Sequence, residues 1–385
     1  MSYSWFCFYL AVISSVALGT ILIDLLIGVR SIKRLNAISI RPTARPRISI
    51  VVAARNEEQK IEAGLGSLLM QDYHDFEVIL VNDRSTDSTA SIARRLSQRF
   101  PSLKVLDVAK LPDGWLGKNH ALYLGASHAS GELLLFTDAD VVMRPDTITR
   151  ASAYFLQELL DHLALTPEVR VPGTLLNIVV GGFTIFFSIF ARPWKAPDPK
   201  SAKHIGIGAF NMIRKDIYER IGTHKAIALR PDDDLKLGKL VKKHGYRQEL
   251  LSGADLLWVE WYASLGQMVD GLMKNSFSGL EYRLWLVPVA TMAQFFLFVW
   301  PFLGTFLTTG TARWLNMLMC VALVSVCAYH AALFRAKPLY ALGIPIASLV
   351  MTYIIWKSTL TTLFNGGISW RGTHYPLEKL RANKV

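Results

Sequence analysis

The sequence predicts an α/β fold, a doubly wound sheet with transmembrane helices at both ends of the chain. Three observations predict it. Between Ile48 and Asp140, short apolar runs compatible with buried strands alternate with helical patterns. Each run ends in polar or acidic residues, where α/β sheets place their ligands. Finally, 51% of the 385 residues are apolar, high for a purely soluble chain, and long apolar stretches lie near both ends.

Trp5 to Val29 is an apolar run of about 25 residues, enough to span a bilayer. A cleaved signal peptide is the competing reading. The run is too long for one and has no positive charge before it. Asp24 falls near the inner end, within reach of headgroups. Residues 1–29 are therefore expected to be a transmembrane helix. Arg30, Lys33, Arg34, Arg41, Arg45 and Arg47 follow, with no acidic residue among them. The positive-inside rule then makes residue 30 onward cytoplasmic, and the same cluster suits anionic headgroups. The net charge of +12 raises nucleic acid as a partner. It is rejected, because the basic residues cluster beside membrane segments and no nucleic-acid motif is present.

Ile48 to Ala54 reads as the first buried strand and ends in Arg55-Asn56-Glu57-Glu58. Gln59 to Gln71 carries Ile61, Leu65, Leu68 and Leu69 at helical spacing. Glu77 to Val81 is the second strand, ending in Asn82-Asp83-Arg84-Ser85-Thr86-Asp87. A further helix opens at Asp87-Ser88-Thr89, with Ser85 or Asp87 as its N-cap and Ile92 and Leu96 on one face. Leu133-Leu134-Leu135 then leads into Phe136-Thr137-Asp138-Ala139-Asp140. In an extended stretch Asp138 and Asp140 point to the same side, so both carboxylates face one crevice. Clustered anions are costly without a cation, and a divalent metal holding a diphosphate is the natural one.

Leu175 to Phe183 and onward is another apolar run, inside the sheet domain. A crossing there would separate Asp138 from Asp234 by a bilayer, so residues 172–190 are expected to lie at the interface. Pro231-Asp232-Asp233-Asp234 precedes a helix patterned by Leu237, Leu240 and Val241 and stopped at His244-Gly245. Capping and dipole complementarity alone would account for acids there. The cytoplasmic domain is expected to end at 283. Residues 284–364 hold three candidate spans and 365–385 a basic tail. If all three crossed, Arg371, Lys379, Arg381 and Lys384 would lie outside, against the charge rule. Cys7, Cys320 and Cys327 all fall in apolar runs, with neither zinc spacing nor a disulfide partner.

Five stretches now carry a resemblance. They are Val52 to Glu58, Val81 to Asp87, Trp115-Leu116-Gly117-Lys118-Asn119, Phe136 to Asp140, and Asp232-Asp233-Asp234. In this order the set resembles the family 2 glycosyltransferases of GT-A fold, and the layout resembles their membrane-bound members, the hopanoid-associated and ceramide-type lipid glycosyltransferases. The resemblance implies a nucleotide-diphosphate sugar donor, with a UDP-sugar expected, and a lipid acceptor. It implies Mg²⁺ or Mn²⁺ and a direct displacement that inverts the anomeric centre. The expected place is the cell (inner) membrane, multi-pass, with the catalytic domain cytoplasmic.

By the same resemblance Asp140 is a metal ligand, and Asp138 shares the metal or faces the ribose. Ala53, Arg55, Glu57 and Asp83 line the nucleotide pocket, Asp83 at the base. Lys118 reaches the diphosphate or ribose. Counting back from Gly245-Tyr246-Arg247 aligns the family's Glu-Asp pair with Asp233 and Asp234 and makes Asp234 the base. Neighbouring carboxylates would raise its pKa and improve it. Gly208, in Gly206 to Asn211, resembles the small-residue loop on the acceptor side. Trp370, Arg371 and His374 resemble a terminal motif that closes over the diphosphate. The Q-x-x-R-W motif of processive synthases is reduced to Gln267-Met268-Val269-Asp270-Gly271, which favours single-sugar transfer over a processive polysaccharide synthase. A nucleotidyltransferase would show a glycine-rich basic loop where Ala53-Ala54-Arg55-Asn56-Glu57 stands.

Overall fold

The computed structural model describes residues 3–40 and 45–385, so Arg41 of the basic cluster lies outside the described residues. In chain order the strands begin with β1 (Ile48–Ala54), β2 (Phe76–Asp83), β3 (Leu103–Val108), β4 (Leu133–Asp138), β5 (Val141–Met143) and β6 (His162–Thr166). They continue with β7 (Glu168–Arg170), β8 (Asn211–Arg214), β9 (Gln248–Ser252), β10 (Leu257–Glu260), β11 (Gly367–Trp370) and β12 (Thr373–Pro376). The helices begin with α1 (Tyr3–Ser31), α2 (Ile61–Leu69), α3 (Thr89–Arg99), α4 (Gly117–Ser127), α5 (Thr147–Gln157), α6 (Thr174–Ala191) and α7 (Lys215–Arg220). After them come α8 (Asp233–Lys243), α9 (Leu265–Gly279), α10 (Leu286–Gln294), α11 (Trp300–Leu307), α12 (Gly310–Leu333), α13 (Ile344–Phe364) and α14 (Leu377–Ala382).

The chain divides into two compact units. A sheet unit takes Ile32–Arg170, Pro193–Trp261 and Glu378–Val385, and a helical unit takes Met1–Ser31, Val171–Arg192 and Tyr262–Leu377. These units divide the chain differently from the expected domains in three places. The sheet unit ends its main run at Trp261 rather than 283, because α9 bonds to α13: Ser358 Oγ accepts from Phe277 N at 3.3 Å, and Lys357 pairs with Asp270 at 3.1 Å. The apolar segment 172–190 forms α6 and belongs to the helical unit. The last residues of the basic tail, Glu378–Val385, belong to the sheet unit. Leu380 is buried, and Asn383 bonds to the loop before α8.

In the sheet unit, seven strands run in the order β3-β2-β1-β4-β8-β6-β9. β1 pairs in parallel with β2 on one side and β4 on the other, so the strand order reverses between β1 and β4. Such a switch point opens a crevice at the strands' C-terminal ends. The register sets Ala53 opposite Asp138 and Ala54 opposite Asn82, bringing the three strand ends to one level. Ile48, Ile50, Val52 and Ala54 point into one core and Val51 into the other, as alternation in a sheet buried on both faces requires. Helix α2 passes very close to the segment between Asp138 and Asp140. A Cβ on Gly64 would sit 2.1 Å from the Ala139 carbonyl oxygen, so only glycine fits there. Helix α3 starts one residue later than its capping pattern predicts, and Asp87 Oδ1, rather than Ser85, accepts from Thr89 N at 3.0 Å.

In the helical unit, α1 packs beside α12, and α6 and α9 each pack against α13. Among the described residues, five helices are long and apolar enough to cross a membrane: Trp5–Ser31, Thr174–Lys195, Leu286–Leu307, Gly310–Leu333 and Pro338–Phe364. Strands β11 and β12 form a hairpin in the same unit.

Candidate active site

The loops after β1 and β2 are laced together. Asn56 Oδ1 accepts from Thr86 N at 2.8 Å, while Asn56 N donates to Ser85 Oγ and Glu58 N to Asp87 Oδ2. Glu57 N donates to Thr89 Oγ1, and Ser88 N to Glu58 Oε2 at 2.9 Å. Asn56 and Arg84 both take left-handed backbone conformations, with φ of 55° at each. Such non-glycine residues cost energy and concentrate at ligand sites. The lacing holds the Arg55–Glu58 loop against the Ser85–Thr89 segment that follows Asp83. Asp83 is buried and chelated by Arg84, with Nε to Oδ1 at 2.7 Å and Nη2 to Oδ2 at 3.0 Å. Arg55 Nη1 lies 3.8 Å from Asp83 Oδ2. Helix α4 starts hard against this group, since a Cβ on Gly117 would lie 2.2 Å from Asp83 Oδ2.

The next residue, Lys118, faces the acids. Its Nζ lies 2.7 Å from Asp138 Oδ1 and 3.6 Å from Asp233 Oδ2. Burial works against its charge, but the carboxylates of Asp138, Asp233 and Asp234 outweigh that and hold the ammonium protonated well above the usual lysine range. Asp140 lies 3.8 Å from Lys60 Nζ. Burial first, then the charges of Asp138 and Glu57, push its carboxyl up to about 6.

The three acids before and in α8 have separate partners. Asp232 is chelated by the buried Arg230, Nε to Oδ1 at 3.0 Å, with Lys236 at 3.5 Å, so it is structural. Asp233 faces Lys118. Asp234 Oδ2 accepts from Gly208 N at 2.8 Å and Oδ1 from Leu235 N at 2.7 Å. Burial and the Asp233 carboxylate push Asp234 up to about 7. Gly208 joins both sides of the crevice, because its carbonyl accepts from Asp138 N at 3.1 Å while its N–H serves Asp234. Asn119, after Lys118, donates to the carbonyls of Ile227, Ala228 and Arg230 at 2.8, 3.2 and 2.9 Å. Asn383 grips the same loop, accepting from Leu229 N at 3.0 Å and donating to Ala226 O at 3.1 Å.

Asp83, Lys118, Asp138, Asp140, Asp233, Asp234 and Gly208 thus converge in the sheet unit. Trp370, Arg371 and His374 fall in the helical unit on the β11–β12 hairpin, with Lys274 Nζ 4.3 Å from the Trp370 ring centre and Ser369 Oγ 3.2 Å from His374 Nδ1. The sequence reading missed Lys60, Arg84, Asn119, Arg230 and Asn383. Two of them carried a signal, Arg84 inside the Val81 to Asp87 stretch and Asn119 at the end of the Trp115 to Asn119 stretch.

Residues 49–222 match the glycosyl transferase family 2 sequence family. The 4,4'-diaponeurosporenoate glycosyltransferase of Staphylococcus aureus (strain USA300) is 25% identical over 345 residues, covering 86% of this chain and 89% of that protein. The enzyme of the same name from S. aureus strain bovine RF122 is 31% identical over 186 residues, 46% of this chain and 47% of its own. The solved mannosyltransferase PcManGT from Pyrobaculum calidifontis, in complex with GDP-Man and Mn²⁺, superposes with a TM-score of 0.55 at 19% identity. The superposition covers 91% of this chain and 98% of that one. Sheet order, acidic crevice and family match define an enzyme of GT-A fold. Residues 49–222 are a glycosyl transferase family 2 domain, and the protein is a glycosyltransferase.

Proposed function

We propose that the protein moves one sugar from a nucleoside-diphosphate sugar to a membrane-associated lipid acceptor, by direct displacement with inversion. The observation that carries this reading is Lys118 placed between Asp138 and Asp233, 2.7 and 3.6 Å away. It joins the strand end that suits a diphosphate to the helix start that suits a hydroxyl.

On this reading the donor base lies at Asp83, fixed by Arg84 and Arg55. A carboxylate accepts equally from uracil N3–H or guanine N1–H, so a UDP-sugar is the working expectation rather than a requirement. Lys118 faces the departing diphosphate. Asp138 and Asp140 are the residues that would hold Mg²⁺ or Mn²⁺, which supplies neutralisation of the leaving group. The residues fit such an ion. Two carboxylates converge, and Asp140 is raised by neighbouring negative charge. Among the described residues no group of three or more ligating side chains forms, so diphosphate oxygens and water would complete the shell. Asp234 takes the acceptor proton. A carboxyl near 7 has a proton affinity matched to neutral pH, and the Gly208 N–H orients one of its oxygens.

The acceptor class draws on the S. aureus relatives, named for 4,4'-diaponeurosporenoate, and on the five long apolar helices. The basic residues Arg30, Lys33, Arg34, Arg45 and Arg47 after α1 support a cytoplasmic catalytic unit in the cell membrane. If the acceptor is itself a carboxylate, as that name implies for the relatives, it needs no base, and the pH profile separates the two cases.

The test is to incubate membranes with a panel of labelled UDP- and GDP-sugars, extract lipids, and determine product size and anomeric configuration. One sugar per lipid with inverted configuration is expected. A retained configuration or a polymer overturns the reading.

A further inference from the structure

The chain leaves the sheet unit twice and returns twice. It leaves after Arg170 and returns at Pro193, then leaves after Trp261 and returns at Glu378. Each return is bonded in place. β8, after the first departure, pairs with β4 and β6 before it. Asn383, after the second, exchanges hydrogen bonds with Leu229 and Ala226. One folded body stands on one face of a membrane, so each departure crosses the bilayer an even number of times.

For α6 the count is zero, because it is the one helix of its departure. For the second departure, only two of the three spanning-length segments can cross. Contacts inside the helical unit identify them. α1 and α12 run side by side in the same direction: Cys7 and Ala11 pack with Ala312 at their starts, and Arg30 Nε donates to Tyr329 OH at 3.2 Å at their ends. α12 therefore ends on the face where α1 ends, the one the sheet unit occupies. α10 and α11 lead into it through Thr308 and Thr309, and supply the opposite passage. α13 is left without a crossing.

α13 also packs on α6. A Cβ on Gly182 would lie 2.3 Å from Ala347 Cβ, and one on Gly343 would lie 2.4 Å from Ile178 Cγ2. The far end of α6 reaches the ends of α12 and α1, with Ser188 Oγ 3.4 Å from His330 Nε2 and Arg192 paired to Asp24 at 2.7 Å. α13 turns polar groups onto α10: Thr352 Oγ1 donates to Gln294 Oε1 at 2.6 Å and Trp356 Nε1 to Thr291 Oγ1 at 2.9 Å. Leu349, Tyr353, Leu360 and Phe364 remain exposed, as does Phe190 on α6.

We propose that α6 and α13 both enter and leave the leaflet facing the catalytic unit, where lipid covers their apolar sides, and that only α1, α10–α11 and α12 cross. This rests on the membrane reading given above. It reduces five spanning-length helices to three passages and returns the basic C-terminal residues to the catalytic face, in keeping with the positive-inside rule.

Single cysteines at Thr309, Arg335, Asn365, Lys225 and Lys384, in a chain with Cys7, Cys320 and Cys327 replaced by serine, test it. A membrane-impermeant maleimide is applied to intact spheroplasts and to inverted vesicles. The expected result is Thr309→Cys labelled on one face only and the other four on the opposite face only. Asn365→Cys labelled with Thr309→Cys would overturn the proposal while leaving the membrane reading intact. Every position labelled from both sides would overturn both. A diazirine phospholipid should label Leu349. If Leu349→Cys instead crosslinks to itself between chains and escapes the lipid probe, a second copy covers the face and the lipid assignment fails.

Discussion

Lys118 Nζ lies 2.7 Å from Asp138 Oδ1, which ties the first turn of α4 to the end of β4 across the switch point of the sheet. With Asp233 3.6 Å away, this lysine faces both halves of the acidic crevice. Replacing it with methionine leaves its carboxylates facing each other. Lys118→Met is expected to weaken donor binding and to lower kcat/KM by about 10²-fold, the scale of losing one charge-stabilising donor. Lys118→Arg should recover part of the loss. Equilibrium donor titration alongside steady-state kinetics checks both.

Asp140 stands at a strand end, and its carboxyl is pushed up to about 6 by burial and by the charges of Asp138 and Glu57. Neutralising it therefore relieves repulsion. Asp140→Asn is expected to abolish transfer with an unchanged or slightly higher Tm, and EDTA should silence the unmodified enzyme until Mg²⁺ or Mn²⁺ is restored. Full activity in EDTA would remove the metal from the account.

Asn119 holds three carbonyls of the loop that leads into α8. Asn119→Ala leaves them without those bonds, at a cost on the order of 2 kcal/mol. Turnover should fall more than donor affinity, since the loop carries the acids rather than the nucleotide. Asn383→Ala, at the outer side of the same loop, is expected to act in the same direction and more weakly. Thermal melts and single-turnover rates measure the two effects separately.

The pH profile follows from Asp234. Its carboxyl is raised to about 7 from the ordinary 3.8, by burial and by Asp233. Below about 7 it is protonated and cannot take a proton, so kcat should fall about tenfold per pH unit there and level off above. The stability sign is the opposite of an ordinary salt-bridged acid. The folded state holds a proton that the unfolded chain has released between pH 3.8 and about 7, so stability falls as pH rises through that window. Asp234→Asn should accordingly be more stable than the unmodified protein at pH 8.

Much of the sheet unit was legible because its signals are local. Ile48 to Ala54 and Leu133 to Asp138 are short apolar runs with polar ends, and the structure makes them adjacent parallel strands. The acids of α8 could be read from a helix start whose stop lay one helix length away. What escaped were pairings between residues far apart in sequence. Asn119 reaches a carbonyl more than a hundred residues away at Ile227, and Asn383 lies more than a hundred residues from the loop it holds. The end of the compact sheet unit at Trp261 was not legible, because α9 has the mixed polarity of a surface helix. Its bonds to Ser358 and Lys357 exist only once α13 lies beside it.

The most direct test of the central claim compares Asp234→Asn with Asp233→Asn in detergent, measuring donor affinity and single-turnover rate on each. Asp234→Asn should bind the nucleotide sugar almost normally and turn over about 10²–10⁴-fold more slowly, the usual range for a lost general base. Asp233→Asn should be milder, because Asp233 is ion-paired with Lys118. Near-normal turnover in Asp234→Asn, at any pH from 6 to 9, would contradict the account and leave the acids of α8 as a helix cap.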